Sequence, residues 1–157
     1  MSKTNAARVL DSLHIEYELR TYEVNGNHQS AEDVALAIGI SPEKIYKTLV
    51  LKGQKDAYLV CVIPANAHLN LKKVAAISDN KSCEMLPMKD LLAVTGYIRG
   101  GCSPIGMKKS YPTYIEEMAS LEDEIIISAG KKGSQLVLKP EDLKKVINGK
   151  FADLSNF

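Results

Sequence analysis

Six of the ten glycines fall between residues 96 and 133, in two segments: Gly96-Tyr97-Ile98-Arg99-Gly100-Gly101-Cys102-Ser103-Pro104-Ile105-Gly106 and Ser128-Ala129-Gly130-Lys131-Lys132-Gly133. Glycine lets backbone N–H groups approach a ligand closely, so each segment can form a concave anion site, with Lys108-Lys109 and Lys131-Lys132 at its rim. The ordinary alternative is a pair of tight turns between strands. Neither segment carries the P-loop or dinucleotide fingerprint.

Lys47 is the second anomaly. Period-2 alternation along 46–52 puts it on the face of Leu49 and Leu51, with Tyr46, Thr48 and Val50 on the other. A lysine there either snorkels to solvent from an edge or projects into a cleft, where an ammonium can hold a phosphate or carbonyl oxygen, or act as a base once desolvated. Cys102 invites a nucleophile assignment from inside the glycine loop, but no local signature pairs it with a histidine. His14, His28 and His68 lie in unrelated settings without metal-ligand spacing, and Ser128 lacks a GxSxG frame. The residues therefore predict no metal and no catalytic triad.

The elements that must position these groups follow from pattern. Residues 4–13 predict a short helix capped by Thr4 or Asn5, and Tyr17 to Thr21 a strand. Residues 25–29 read as a loop containing His28, Ser30 caps a helix ending at Gly39, and Ser41-Pro42-Glu43 starts a further helical turn. Segments 46–52 and 57–63 predict a hairpin whose second strand, apolar on both faces, is central. Helices are expected over 69–77, from Pro87 through Leu92 and from Pro140, and strands over 125–128 and 135–138, with residues 97–106 as loop. Helices scattered among strands with a hairpin indicate a mixed α+β domain and not a doubly wound parallel sheet.

At 157 residues and 45% apolar content, the chain reads as one domain, 1–157. A net charge of +1, from 20 basic and 19 acidic residues, means that any nucleic-acid contact must come from local clusters. Cys61, Cys83 and Cys102 are odd in number and lack CxxC spacing, which fits a reducing compartment, and no apolar stretch approaches a membrane span or signal segment. A cytoplasmic location is expected.

Taken together, five segments are similar in order and spacing to the YbaK/EbsC family of Cys-tRNA(Pro) deacylases, related to the editing domain of bacterial prolyl-tRNA synthetases. They are Tyr46-Lys47-Thr48-Leu49, Leu71-Lys72-Lys73-Val74-Ala75, Thr95-Gly96-Tyr97 through Gly106, Ser128 to Gly133, and Lys150-Phe151-Ala152-Asp153-Leu154. The resemblance spans nearly the whole chain.

The resemblance implies a single domain on a curved, barrel-like mixed sheet flanked by helices, and a pocket for the aminoacylated 3′ end of tRNA. It implies that Lys47 is the essential lysine, holding the phosphate or ribose region of the terminal adenosine. Thr48 adjoins it in the substrate-binding set. Gly100, Gly101, Cys102, Ser103 and Pro104 match the loop around the aminoacyl carbonyl. Ser128, Ala129 and Gly130 match the small-residue wall, and Tyr22 an aromatic near the mouth. Gln135 stands where some relatives carry an acidic residue, and the loop before Ser30 is shorter than in some, which bears on substrate range. The implied activity is trans-editing hydrolysis of cysteinyl-tRNA(Pro), without a cofactor, by attack of the substrate's own thiol. A deacylase for Ala-tRNA(Pro) or another small aminoacyl-tRNA, and a non-catalytic tRNA-binding module, stay open as alternatives. So does docking on prolyl-tRNA synthetase.

Overall fold

The computed structural model describes residues 3–22 and 41–157. The His28 loop, the Ser30-capped helix and its stop at Gly39 lie outside them.

Helix α1 (Asn5–Ser12) starts where Thr4 Oγ1 accepts from Ala7 N, and its spacing buries Ala6, Ala7 and Leu10 on one side. After it come β1 (Glu18–Thr21), a 3-10 turn at Pro42–Lys44, and the hairpin of β2 (Tyr46–Gly53) and β3 (Leu59–Pro64). The hairpin turn is held by Asn80, whose Oδ1 accepts from Lys55 N at 2.7 Å and Asp56 N at 3.0 Å.

β3 is buried at all six positions and lies in the middle of a five-stranded sheet. It runs antiparallel to β2 and parallel to β6 (Thr113–Glu116); β9 (Lys150–Ala152) follows β6 in parallel and β5 (Cys83–Met85) closes the other edge against β2. The apolar pattern of β3 thus reflects a strand covered on both faces. A second sheet of β1, β8 (Ser134–Leu138) and β7 (Ile125–Ser128) is antiparallel throughout, with β8 central. A parallel bridge between Ile45 and Ile126 joins the two sheets, and among the described residues the curved, mixed arrangement does not close. The short β4 (His68–Leu69) pairs with β10 (Ser155–Asn156).

Helix α2 (Leu71–Ser78) is two residues later at its start than the pattern predicts. Asn70 takes the cap, its Oδ1 accepting from Lys72 N and Lys73 N, which leaves Leu69 in a strand. The helix expected from Pro87 is a 3-10 turn (Met88–Asp90) that runs into α3 (Leu91–Thr95), and α4 (Pro140–Ile147) begins at Pro140. β5, β6 and β9 lack a sequence signal of their own. β6 is wholly buried but carries Thr113 and Glu116, a carboxylate whose oxygens accept from Leu154 N and Met118 N.

The main core fills the space between the two sheets, under α1 and α4, with Leu10, Val50, Val62, Ile115, Ile127 and Leu136 among its members. A second cluster of Leu51, Leu59, Cys61 and Ile63 backs the other face of the five-stranded sheet with Val74 of α2. Among the described residues, no helix is long and apolar enough to cross a membrane.

Candidate active site

The first half of β2 has an incomplete neighbourhood. β5 pairs with β2 only at Leu51, Lys52 and Gly53, and the bridge to β7 engages only Ile45. Leu86 N donates to Val50 O at 3.0 Å, so the Val50 carbonyl points away from β3. By the two-residue repeat of a strand, the Thr48 backbone groups point the same way. Among the described residues, no strand pairs with Lys47–Leu49 on that side. The gap is a cavity of about 530 Å³, within the range of small-molecule sites.

Several segments line it. β2 contributes Tyr46 to Val50; β7 and β8 contribute Ser128, Ser134 and Gln135; the glycine loop contributes Arg99, Gly100 and Cys102. Met85, Leu86, Met88 and Leu91 supply an apolar wall, and Tyr22, whose N–H donates to Gly133 O at 2.9 Å, completes the lining beyond β1.

The structure thus brings together Tyr22, Lys47, Thr48, Gly100, Cys102 and Ser128, which are far apart in sequence. Gly101, Ser103, Pro104, Ala129 and Gly130 are not among the lining residues. Ser103 and Ala129 are fully buried. Ser103 Oγ accepts from Ile105 N at 3.3 Å and so turns the loop.

Lys47 lies opposite Ile63 on the face of Leu49 and Leu51, as alternation requires. Its Nζ donates to the Ala65 carbonyl at 3.2 Å. Ala65 also lines the cavity, so the ammonium is drawn to the cavity end of the strand.

The two glycine segments pack against each other. A Cβ on Gly101 would stand 2.9 Å from Lys131 Cα, backbone against backbone, and one on Gly130 would stand 2.9 Å from Tyr97 Cε1. Tyr97 Oη donates to Ile105 O, and Asn5 Nδ2 of α1 donates to Gly106 O at 3.1 Å, fixing the far end of the loop to the core. The glycines thus bring two loops to one wall of the cavity, a closer approach than any side chain permits.

Among the described lining residues, Lys47 and Arg99 are cationic and none carries a carboxylate. Burial pushes the Cys102 thiol up to about 11, against an opposing hydrogen bond with Thr95, so the residue is protonated near neutrality and a poor nucleophile. Ser128 Oγ accepts from Gly130 N at 3.1 Å, and no histidine lines the cavity among the described residues. Burial likewise raises the Tyr46 phenol, with Glu122 and Glu116 adding to the effect. Among the described residues, the lining therefore offers two cations and no activated side-chain nucleophile.

Arg99, Tyr46 and Ser134 were not singled out by pattern. Arg99 had a signal, a cation within a glycine segment. Tyr46 and Ser134 had none, because strand residues become lining only when two sheets face each other.

A family profile described as "Aminoacyl-tRNA editing domain" matches residues 26–146. The chain is 50% identical over 153 residues to the "Putative Cys-tRNA(Pro)/Cys-tRNA(Cys) deacylase EbsC" of Enterococcus faecalis, covering 98% of this chain and 93% of that one. It is 31% identical over 81 residues to a proline–tRNA ligase of Thermosipho melanesiensis, covering 52% of this chain and 14% of the ligase. A solved structure titled as that of a "putative trans-editing enzyme for prolyl tRNA synthetase" shares the fold, with a TM-score of 0.81 at 21% identity over 100% of both chains. The chain belongs to the aminoacyl-tRNA editing domain family, in agreement with the YbaK/EbsC resemblance of its five motifs.

Proposed function

We propose that this protein is a trans-editing hydrolase that removes cysteine from mischarged tRNA(Pro), acting as one domain over residues 1–157. The observation that carries the reading is the composition of the cavity among the described residues: two cations, a glycine-loop wall and no activated nucleophile.

In this reading, Lys47 holds the phosphate or ribose region of the terminal adenosine, with Arg99 as a second cation, and the glycine-loop amides face the ester carbonyl. The substrate thiol attacks that carbonyl: the S–C bond forms, the C–O bond to the ribose breaks, and the proton passes to the departing ribose oxygen. Water then hydrolyses the resulting thiolactone. Intramolecular attack gains from proximity what the described lining residues do not supply as a nucleophile, and preorganised N–H donors stabilise the oxyanion. A buried, protonated Cys102 has no part in these steps. The relative's name, with cysteine as the amino acid, supports the substrate assignment. The proline–tRNA ligase match supports tRNA(Pro), and prolyl-tRNA synthetase as a docking partner.

The test is deacylation of a panel of mischarged tRNAs, with and without the synthetase. Cysteinyl-tRNA(Pro) is cleaved fastest, Lys47→Ala loses at least tenfold, about the worth of one charge-assisted hydrogen bond, and Cys102→Ala stays active. Preferred cleavage of alanyl-tRNA(Pro) would reassign the substrate, and salt-sensitive tRNA binding without cleavage would make this a binding module.

A further inference from the structure

Among the described residues, three buried side-chain oxygens find no hydrogen-bond partner: Thr48 Oγ1, Gln135 Oε1 and Ser155 Oγ. Two of them, Thr48 and Gln135, line the cavity. Native proteins pair the large majority of such groups, and two unpaired oxygens beside one cavity point to a ligand that completes them. Gln135 is only 5% exposed. It sits on the central strand of the three-stranded sheet, opposite Ser128 on one side and Arg20 on the other. Thr48 sits on β2 of the five-stranded sheet. The two orphans therefore come from the two sheets that frame the cavity.

A glutamine oxygen accepts only, and a threonine hydroxyl both accepts and donates, so the pair calls for a ligand N–H or O–H. The charged lining groups, Lys47 and Arg99, are themselves donors and cannot receive an amine. Among the described residues no carboxylate lines the cavity, and the neutral oxygens are the acceptors they offer to it. Resting on the editing reading, we infer that Gln135 and Thr48 form the subsite for the free α-amino group of the aminoacyl ester. The amide turns about its last torsion to present Oε1 as the ligand enters, and the enzyme thereby distinguishes a free from a blocked amino terminus.

The test uses the full chain and two non-hydrolysable probes, 3′-cysteinylamino-3′-deoxyadenosine and its N-acetyl derivative, with binding followed by calorimetry. Wild type binds the free amine at least about tenfold more tightly, the worth of one well-placed hydrogen bond to a charged group. Gln135→Leu and Thr48→Val each shrink that ratio to below about threefold, with N-acetyl binding little changed. Removing an orphan polar group leaves folding intact or improved; Gln135→Met serves as the second variant should leucine not fit. Equal binding of both probes by wild type, no binding of either, or an undiminished ratio in the variants would overturn the subsite. A retained ratio in a protein that cleaves no aminoacyl-tRNA leaves the subsite standing and removes the editing reading. Cleavage without any preference for the free amine does the reverse.

Discussion

The ring of Tyr97 occupies the space where a side chain on Gly130 would stand, with Cε1 2.9 Å from the position of a Cβ there. The φ of Gly130 is +110°, so the turn also needs glycine for its backbone. Tyr97 thereby bridges both glycine segments: its ring rests on the second and its hydroxyl donates to Ile105 O in the first. Tyr97→Phe keeps the ring and leaves a buried carbonyl without its donor, a cost of about 1–2 kcal/mol. Tyr97→Ala also empties the space over Gly130 and costs about 3–5 kcal/mol. Urea unfolding, with midpoint shifts at unchanged slope, checks both.

Gly101 separates a steric from a conformational need for glycine, because no positive φ is involved. Its missing Cβ would meet Lys131 Cα at 2.9 Å and Lys131 C at 3.1 Å, backbone atoms that yield only if the loops part. Gly101→Ala is expected to cost about 1–3 kcal/mol through overpacking and to lower deacylation by more than the stability loss explains. Gly149→Ala is the control. The nearest contacts there are the side-chain atoms Ile147 Cγ1 at 3.2 Å and Ile115 Cδ1 at 3.4 Å, so activity stays near wild type.

Cys102 and Cys61 predict an alkaline limit to stability. Burial pushes these thiols up to about 11 and about 12 from an ordinary value of 9.0. Below pH 9 both states hold the proton and stability is full. Between pH 9.0 and about 11 the unfolded chain releases protons that the folded chain keeps, so stability falls as pH rises. Denaturation midpoints against pH should decline across that window, and less so in Cys102→Ala. At pH 8 only about one Cys102 in a thousand is ionised, so alkylation by iodoacetamide should await unfolding.

Asn80 ties the β2–β3 turn to the end of α2. Besides its two backbone donors, its Nδ2 donates to Asp56 Oδ2 at 3.1 Å and Ser78 Oγ at 2.8 Å. Asn80→Ala is expected to cost about 2 kcal/mol, measured by urea unfolding. Asn80→Asp keeps the acceptor for Lys55 N and Asp56 N but sets a second carboxylate against Asp56. It should recover stability only where the pair is protonated, at acid pH.

Local pattern alone carried the hairpin, the centrality of its second strand, the cap at Thr4, the helix start at Pro140 and the two glycine turns. Each depends on residues within a few positions of one another: an apolar run, a hydroxyl before a helix, a proline at its first turn. The motifs in register carried the family, and alternation along β2 placed Lys47 on the right face. The tertiary structure decided which of the named residues meet. Gly101, Ser103, Pro104, Ala129 and Gly130 do not line the cavity, while Gln135, noticed in sequence only as a departure, and Arg99 do. No local rule foretells this, because a cavity wall is formed by strands whose facing is set by packing two sheets around one core. β6 and β9 were hidden for the same reason: three or four residues of mixed character become strands only when neighbours supply their hydrogen bonds.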